Sequence, residues 1–79
     1  MDRQFTATLY GATRKANSKD GNPTWLLHTS EGDYATEVDG SIGYEVNNHT
    51  GGPGNWIDKR VQFTVTGRGA GRVRDWKLA

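Results

Sequence analysis

The chain has 79 residues, eleven glycines, two prolines, no cysteine and a formal net charge of +1. That length allows one domain, which hides only roughly 60% of its unfolded surface, and the lack of cysteine excludes both a disulfide framework and a thiolate zinc site. No apolar run approaches the roughly eighteen residues needed to span a membrane, and Asp2 within MDRQFTATLYG does not suit a secretory signal, so a soluble, cytoplasmic protein is expected.

Phe5 to Tyr10 alternates apolar and polar residues, placing Phe5, Ala7 and Leu9 toward a core, with Gly11 ending or bending the strand. Arg14 to Pro23 reads as a polar connection around the turn pair Asp20-Gly21. Thr24 to Ser30 is the second strand, with Trp25 and Leu27 on one side. A tight hairpin at Glu31-Gly32-Asp33 leads into a third strand from Tyr34 to Val38.

Asp39 to Asn47 admits two readings. Ile42, Tyr44 and Val46 alternate as a strand would. Asp39 is also a good N-cap, Ile42 and Val46 lie one helical turn apart, and Asn47-Asn48 suits a helix end. Gly40 and Gly43 each weaken a helix by roughly 1 kcal/mol, but one or two helical turns fit the topology best. Asn48 to Asn55 is loop by composition, without the lysine and following helix of a phosphate-binding loop.

Val61 to Thr66 alternates again as a fourth strand, and Gly67 to Gly71 turns into a fifth from Arg72 to Leu78. Val73 and Trp76 have opposite parity there, so either a bulge intervenes or one of them faces out. The expected core is Phe5, Leu9, Trp25, Leu27, Val38, Val61, Phe63, Val65 and Trp76. Five strands with a short helix or turn between the third and fourth is the order of an OB-fold, a partly open Greek-key barrel. An SH3-like barrel is the rival, having five short strands but no helix in that place. The oligomeric state is open between monomer and dimer, and an edge left exposed by incomplete closure would support the dimer.

Three segments carry a resemblance. Gly21-Asn22-Pro23-Thr24-Trp25, the hairpin at Glu31-Gly32-Asp33 and Tyr44-Glu45-Val46-Asn47-Asn48 together resemble small OB-like proteins encoded by phages of actinobacteria. Lys59 to Gly67 resembles the fourth strand of many bacterial OB-like domains. The resemblance implies fold and origin, with the host cytoplasm as compartment, and supplies no activity to carry over.

Charge is strongly segregated along the chain. Gly21 to Asp58 holds Glu31, Asp33, Glu37, Asp39, Glu45 and Asp58 and no Lys or Arg. The first twenty residues hold Arg3, Arg14, Lys15 and Lys19, and the last twenty-one hold Lys59, Arg60, Arg68, Arg72, Arg74 and Lys77. Such segregation concerns partners more than fold.

No enzyme is expected. There is neither a cysteine nucleophile nor a Gly-x-Ser-x-Gly elbow. His28 has the parity of a solvent-facing strand residue, and His49 sits in a glycine-rich loop that would hold a base poorly. Glu31, Asp33, Glu37 and Asp39 lack the spacing of a calcium loop and read as a solvated acidic face. Neither a metal nor any other cofactor is expected.

A binding module is the expectation instead. In an OB-fold, the loops between strands one and two and between strands four and five flank the ligand face. Arg14, Lys15 and Lys19 fall in the first, and Arg68 in the second with Arg72 and Arg74 beyond it. Trp25, Tyr34 or Trp76 would stack unpaired bases of single-stranded nucleic acid. The alternative is a host protein met by the acidic residues Glu31, Asp33, Glu37 and Asp39. A third account needs no partner: acidic strands two and three would pair with basic strands one and five.

Overall fold

Alternation that places every second side chain inward is what a small barrel needs, and the computed structural model of the protein is such a barrel. It describes residues 2–38, 41–51, 54–66 and 71–79. Among these, five strands run β1 (Arg3–Lys15), β2 (Thr24–Thr29), β3 (Gly32–Thr36), β4 (Arg60–Val65) and β5 (Arg72–Leu78), with helix α1 (Ile42–His49) between β3 and β4. They close in the order β1-β2-β3-β5-β4. All pairings are antiparallel except β3 with β5, which is parallel. This is the OB-like arrangement, with the helix where the SH3-like alternative has none.

Closure depends on one long strand serving two neighbours. The first half of β1 pairs with β4, through Phe5 opposite Phe63 and Ala7 opposite Val61. Its second half pairs with β2. Between the halves, pairing passes from Leu9 opposite Thr29 to Gly11 opposite His28, leaving Tyr10 unopposed. This bulge bends the strand and reverses its parity. Ala12 and Arg14 therefore face the same way as their partners Leu27 and Trp25. The strand expected to end or bend at Gly11 bends and continues to Lys15, so Arg14 and Lys15 belong to β1 and not to the loop.

A second bulge answers the parity question in β5. Phe63 lies opposite Trp76 and Thr64 opposite Asp75, but Val65 lies opposite Val73. Arg74 is the extra residue, and both Val73 and Trp76 are buried.

The β2–β3 turn is shorter than expected. Thr29 lies opposite Gly32, so the turn is Ser30-Glu31, and Gly32 adopts φ 114°, where a side chain would be strained. The buried Thr29 hydroxyl donates to Gly32 O (2.7 Å) and accepts from Glu31 N–H (3.1 Å). At its other end β3 stops at Thr36. Val38 lies beyond it and is 37% exposed, so it is not a core residue.

The core comprises Ala7, Leu9, Leu27, Ile42, Val46, Val61, Phe63, Val65, Val73 and Trp76. Phe5 and Trp25, expected inside it, pack half-buried at its margin. Ile42 and Val46 enter from α1 at the one-turn spacing that supported the helix. Ser41 is the N-cap residue; Asp39, expected in that role, lies outside the described residues. The closed barrel leaves no open edge among the described strands, so the edge-pairing argument for a dimer falls. Among the described residues, no helix is long and apolar enough to cross a membrane.

Thr36 is fully buried, and its hydroxyl oxygen accepts the Trp25 backbone N–H at 3.0 Å. Thr36→Val keeps the shape but strands that donor. The expected loss is about 1–3 kcal/mol, read as a lower midpoint in urea unfolding with unchanged slope.

Candidate functional site

The barrel decides first whether the acidic middle and the basic ends meet, and among the described residues no ion pair joins them. Among the described residues, one Lys/Arg–carboxylate pair forms, Arg74 to Asp2 at 2.6 Å, and the other ion pair is His28 with Asp33 within the β2–β3 hairpin. Register explains it. Arg14 lies opposite Trp25, Lys15 opposite Thr24, Arg60 opposite Thr8, Arg72 opposite Ala35 and Asp33 opposite His28. Among the described residues no cross-strand ion pair joins the acidic hairpin to a basic strand, so mutual neutralisation does not account for their segregated charge.

The expected binding residues are dispersed. Arg14 and Lys15 end β1, and Lys19 is exposed in the β1–β2 loop. Arg72 and Arg74 lie on β5; Arg72 Nη1 reaches Thr36 O at 3.4 Å, and Arg74 holds Asp2. Arg68 lies outside the described residues. Tyr34 packs half-buried on Phe5, ring centroids 4.9 Å apart. Among the acids, Glu31 is exposed in the turn, Asp33 is held by His28, Glu37 donates its N–H to Val73 O, and Asp39 lies outside the described residues.

Arg14 and Trp25 are brought together. The parity reversal at Tyr10 puts the Arg14 guanidinium over the Trp25 ring, 5.6 Å from its centroid. Its Nη1 donates to Lys15 O and to Thr24 O (3.3 Å), and its Nη2 to Asn17 Oδ1. Those acceptors are neutral. They fix the group, and among the described residues no carboxylate pairs with it and two of its five donors find no acceptor.

Beside Arg14 the β1–β2 loop is tightly folded. Ser18 N–H donates to Asn22 O and Gly21 N–H to Ser18 O, while Thr24 Oγ1 donates to Ala16 O at 2.7 Å. Helix α1 sits directly on this loop. Trp25 Nε1 donates to Gly43 O at 2.9 Å, and the Tyr44 hydroxyl reaches Asn22 Oδ1 at 3.4 Å. Between loop and helix lies an open groove of about 300 Å³ lined by Arg14, Asn17, Gly21, Pro23, Tyr44 and Asn47. Tyr44 is 52% exposed, an aromatic surface next to a fixed cation.

Tyr44, Asn17 and Asn47 were not among the expected site residues. The available signal was the helix itself: once Ile42 and Val46 point inward, Tyr44 and Asn47 fall on its exposed side. His49 also differs from expectation. It is the last residue of α1, stacked on Trp56 at 4.1 Å and bonded through Nδ1 to Gly54 O at 3.0 Å. Trp56 in turn packs on Trp76 at 4.7 Å, which places Trp76 in the packed interior and away from the groove.

No family model matches the chain, and neither a curated protein nor a solved structure is matched to it.

Proposed function

We propose that the protein is a binding domain for single-stranded nucleic acid, and that the strand enters at the groove between the β1–β2 loop and α1. The observation that carries this reading is Arg14: a cation locked by neutral acceptors against Trp25, with no carboxylate paired to it among the described residues, beside the exposed ring of Tyr44. A phosphate would take the remaining guanidinium donors, and a base would stack on Tyr44. The amides of Asn17 and Asn47 each offer a donor and an acceptor to base edges. Lys15 and Lys19, both exposed, would follow the backbone on either side. Nothing in this reading needs a catalytic step or a cofactor.

The acidic hairpin is a weaker candidate for a host-protein surface, since Asp33 is engaged by His28 and Glu37 is half-buried.

Fluorescence anisotropy with a short labelled oligonucleotide tests the reading. Binding should weaken steadily as salt rises, because neutralised phosphates release counterions. Tyr44→Ala should cost about 1–3 kcal/mol of affinity. Arg14→Ala should weaken binding across sequences and lower the salt slope by about one, while Glu31→Gln leaves affinity unchanged or raises it. No binding at low salt, or equal losses in all three variants, would overturn the proposal.

A further inference from the structure

The outer face of β1, β2 and β3 carries an arrangement that nucleic-acid binding does not use. Past the bulge at Tyr10, Thr13 lies opposite Leu26, which makes His28 its diagonal neighbour across the ladder. Asp33 lies directly opposite His28 on the other side. Three adjacent strands thus bring a hydroxyl, an imidazole and a carboxylate into line. Thr13 Oγ1 is 2.7 Å from His28 Nε2, and His28 Nδ1 is 3.0 Å from Asp33 Oδ1.

The order of partners assigns the protons. The Asp33 carboxylate only accepts, so Nδ1 carries the hydrogen and Nε2 the lone pair. The Thr13 hydroxyl therefore donates to Nε2. Nucleophile, base and orienting group stand in the sequence that activates a hydroxyl for acyl transfer. Thr13 is exposed, and the His28 side chain is 35% exposed, so a small donor can reach the oxygen. The expectation that His28 is merely a solvent-facing strand residue overlooked both partners, which lie fifteen residues before it and five after it.

We propose that Thr13 Oγ1 is an activated acyl acceptor, with His28 as its base and Asp33 as the positioning residue. The donor class is a small activated ester, which needs little binding energy to react. Thr13 Oγ1 attacks the carbonyl carbon and forms a new C–O bond as its proton passes to His28 Nε2. The bond to the leaving phenolate breaks, His28 returns the proton to the leaving group or to water, and Thr13 carries the acyl ester. This goes beyond the binding reading, and no residue is shared with the groove.

The test is incubation of the intact protein with p-nitrophenyl acetate, followed by site-resolved mass spectrometry. Lability to alkaline hydroxylamine separates the oxygen ester from lysine amides. Wild type and Thr13→Ser should carry the acetyl ester at residue 13, ahead of the exposed hydroxyls of Ser30 and Ser41. Thr13→Val should lose it. His28→Gln should slow it by at least about a hundredfold, and Asp33→Ala by about tenfold or more, each with unchanged thermal unfolding. Labelling of Thr13 at the same rate without His28 would overturn the proposal. So would labelling of Ser30 and Ser41 in preference to Thr13, or acetyl found only on His28 and persisting in Thr13→Val.

Discussion

Gly43→Ala is expected to destabilise the protein by about 3 kcal/mol, at the upper end of overpacking costs. For a domain of this size that lowers Tm by roughly 12 °C or more. Helix propensity alone argues the opposite, since alanine in place of glycine inside a helix gains about 1 kcal/mol. The difference lies in what the helix touches. A Cβ at Gly43 would stand 1.8 Å from the Pro23 carbonyl oxygen and 2.8 Å from its carbon, and backbone cannot step aside as a long side chain can. Helix α1 would lift off the β1–β2 loop, straining the Trp25 indole bond to Gly43 O and opening the groove. A raised Tm in differential scanning calorimetry would show that helix and loop do not meet this closely.

Phe63→Ala is the other large expected effect, about 3–5 kcal/mol. Phe63 is fully buried, stacks on Phe5 at 5.2 Å and meets Trp76 at 6.4 Å. It joins β4 to β1 on one side and to β5 on the other. Proteins carry about 0.05–0.15 kcal/mol of stability per residue, so this one loss takes much of the total in a chain of 79 residues. A large unfolded fraction is expected by near-ultraviolet circular dichroism at 37 °C. Val38→Ala provides the contrast: exposed beyond the end of β3, it should change stability by no more than about 0.5 kcal/mol. Equal effects of the two would contradict the placement of β3's end at Thr36.

How much of this was legible in the sequence depended on whether the signal was local. Alternation in Phe5 to Leu9 and in Val61 to Val65 named the inward faces of β1 and β4, because period two is fixed by the pleat. The parity conflict between Val73 and Trp76 posed a choice between a bulge and an outward-facing side chain, and the bulge at Arg74 with both residues buried decides it. The bulge at Tyr10 left a weaker trace, Gly11, which marked an end or a bend without choosing between them. Arg14 beyond it is polar, so nothing apolar marked the strand's continuation or its reversed parity. Arg14 was accordingly placed in a loop, when the reversal is what lays it on Trp25. The two readings of Asp39 to Asn47 resolved to a helix through Ile42 and Val46, whose burial is a tertiary effect.

The candidate site was less legible than the fold for the same reason. Arg14, Lys15 and Lys19 were named from charge, and Trp25 from aromatic content, all of them local properties. Tyr44, Asn17 and Asn47 became neighbours of Arg14 only through the seating of α1 on Pro23, a contact between segments about twenty residues apart. The Thr13–His28–Asp33 line depended on a register that the bulge at Tyr10 sets. The acidic middle and the basic ends stay unpaired in the ladders, because the register opposes each Lys or Arg paired there with a neutral residue.

The most direct test of the central claim is a titration of the ¹⁵N-labelled protein with a short single-stranded oligonucleotide, followed by N–H correlation spectra at low salt. Binding at the groove should shift the Trp25 indole N–H, the side-chain amides of Asn17 and Asn47, and the backbone N–H of Gly21 and Tyr44. Resonances of the Ser30-Glu31 turn should stay in place. Shifts centred on that turn or on the His28 face, with the groove resonances unmoved, would contradict the account.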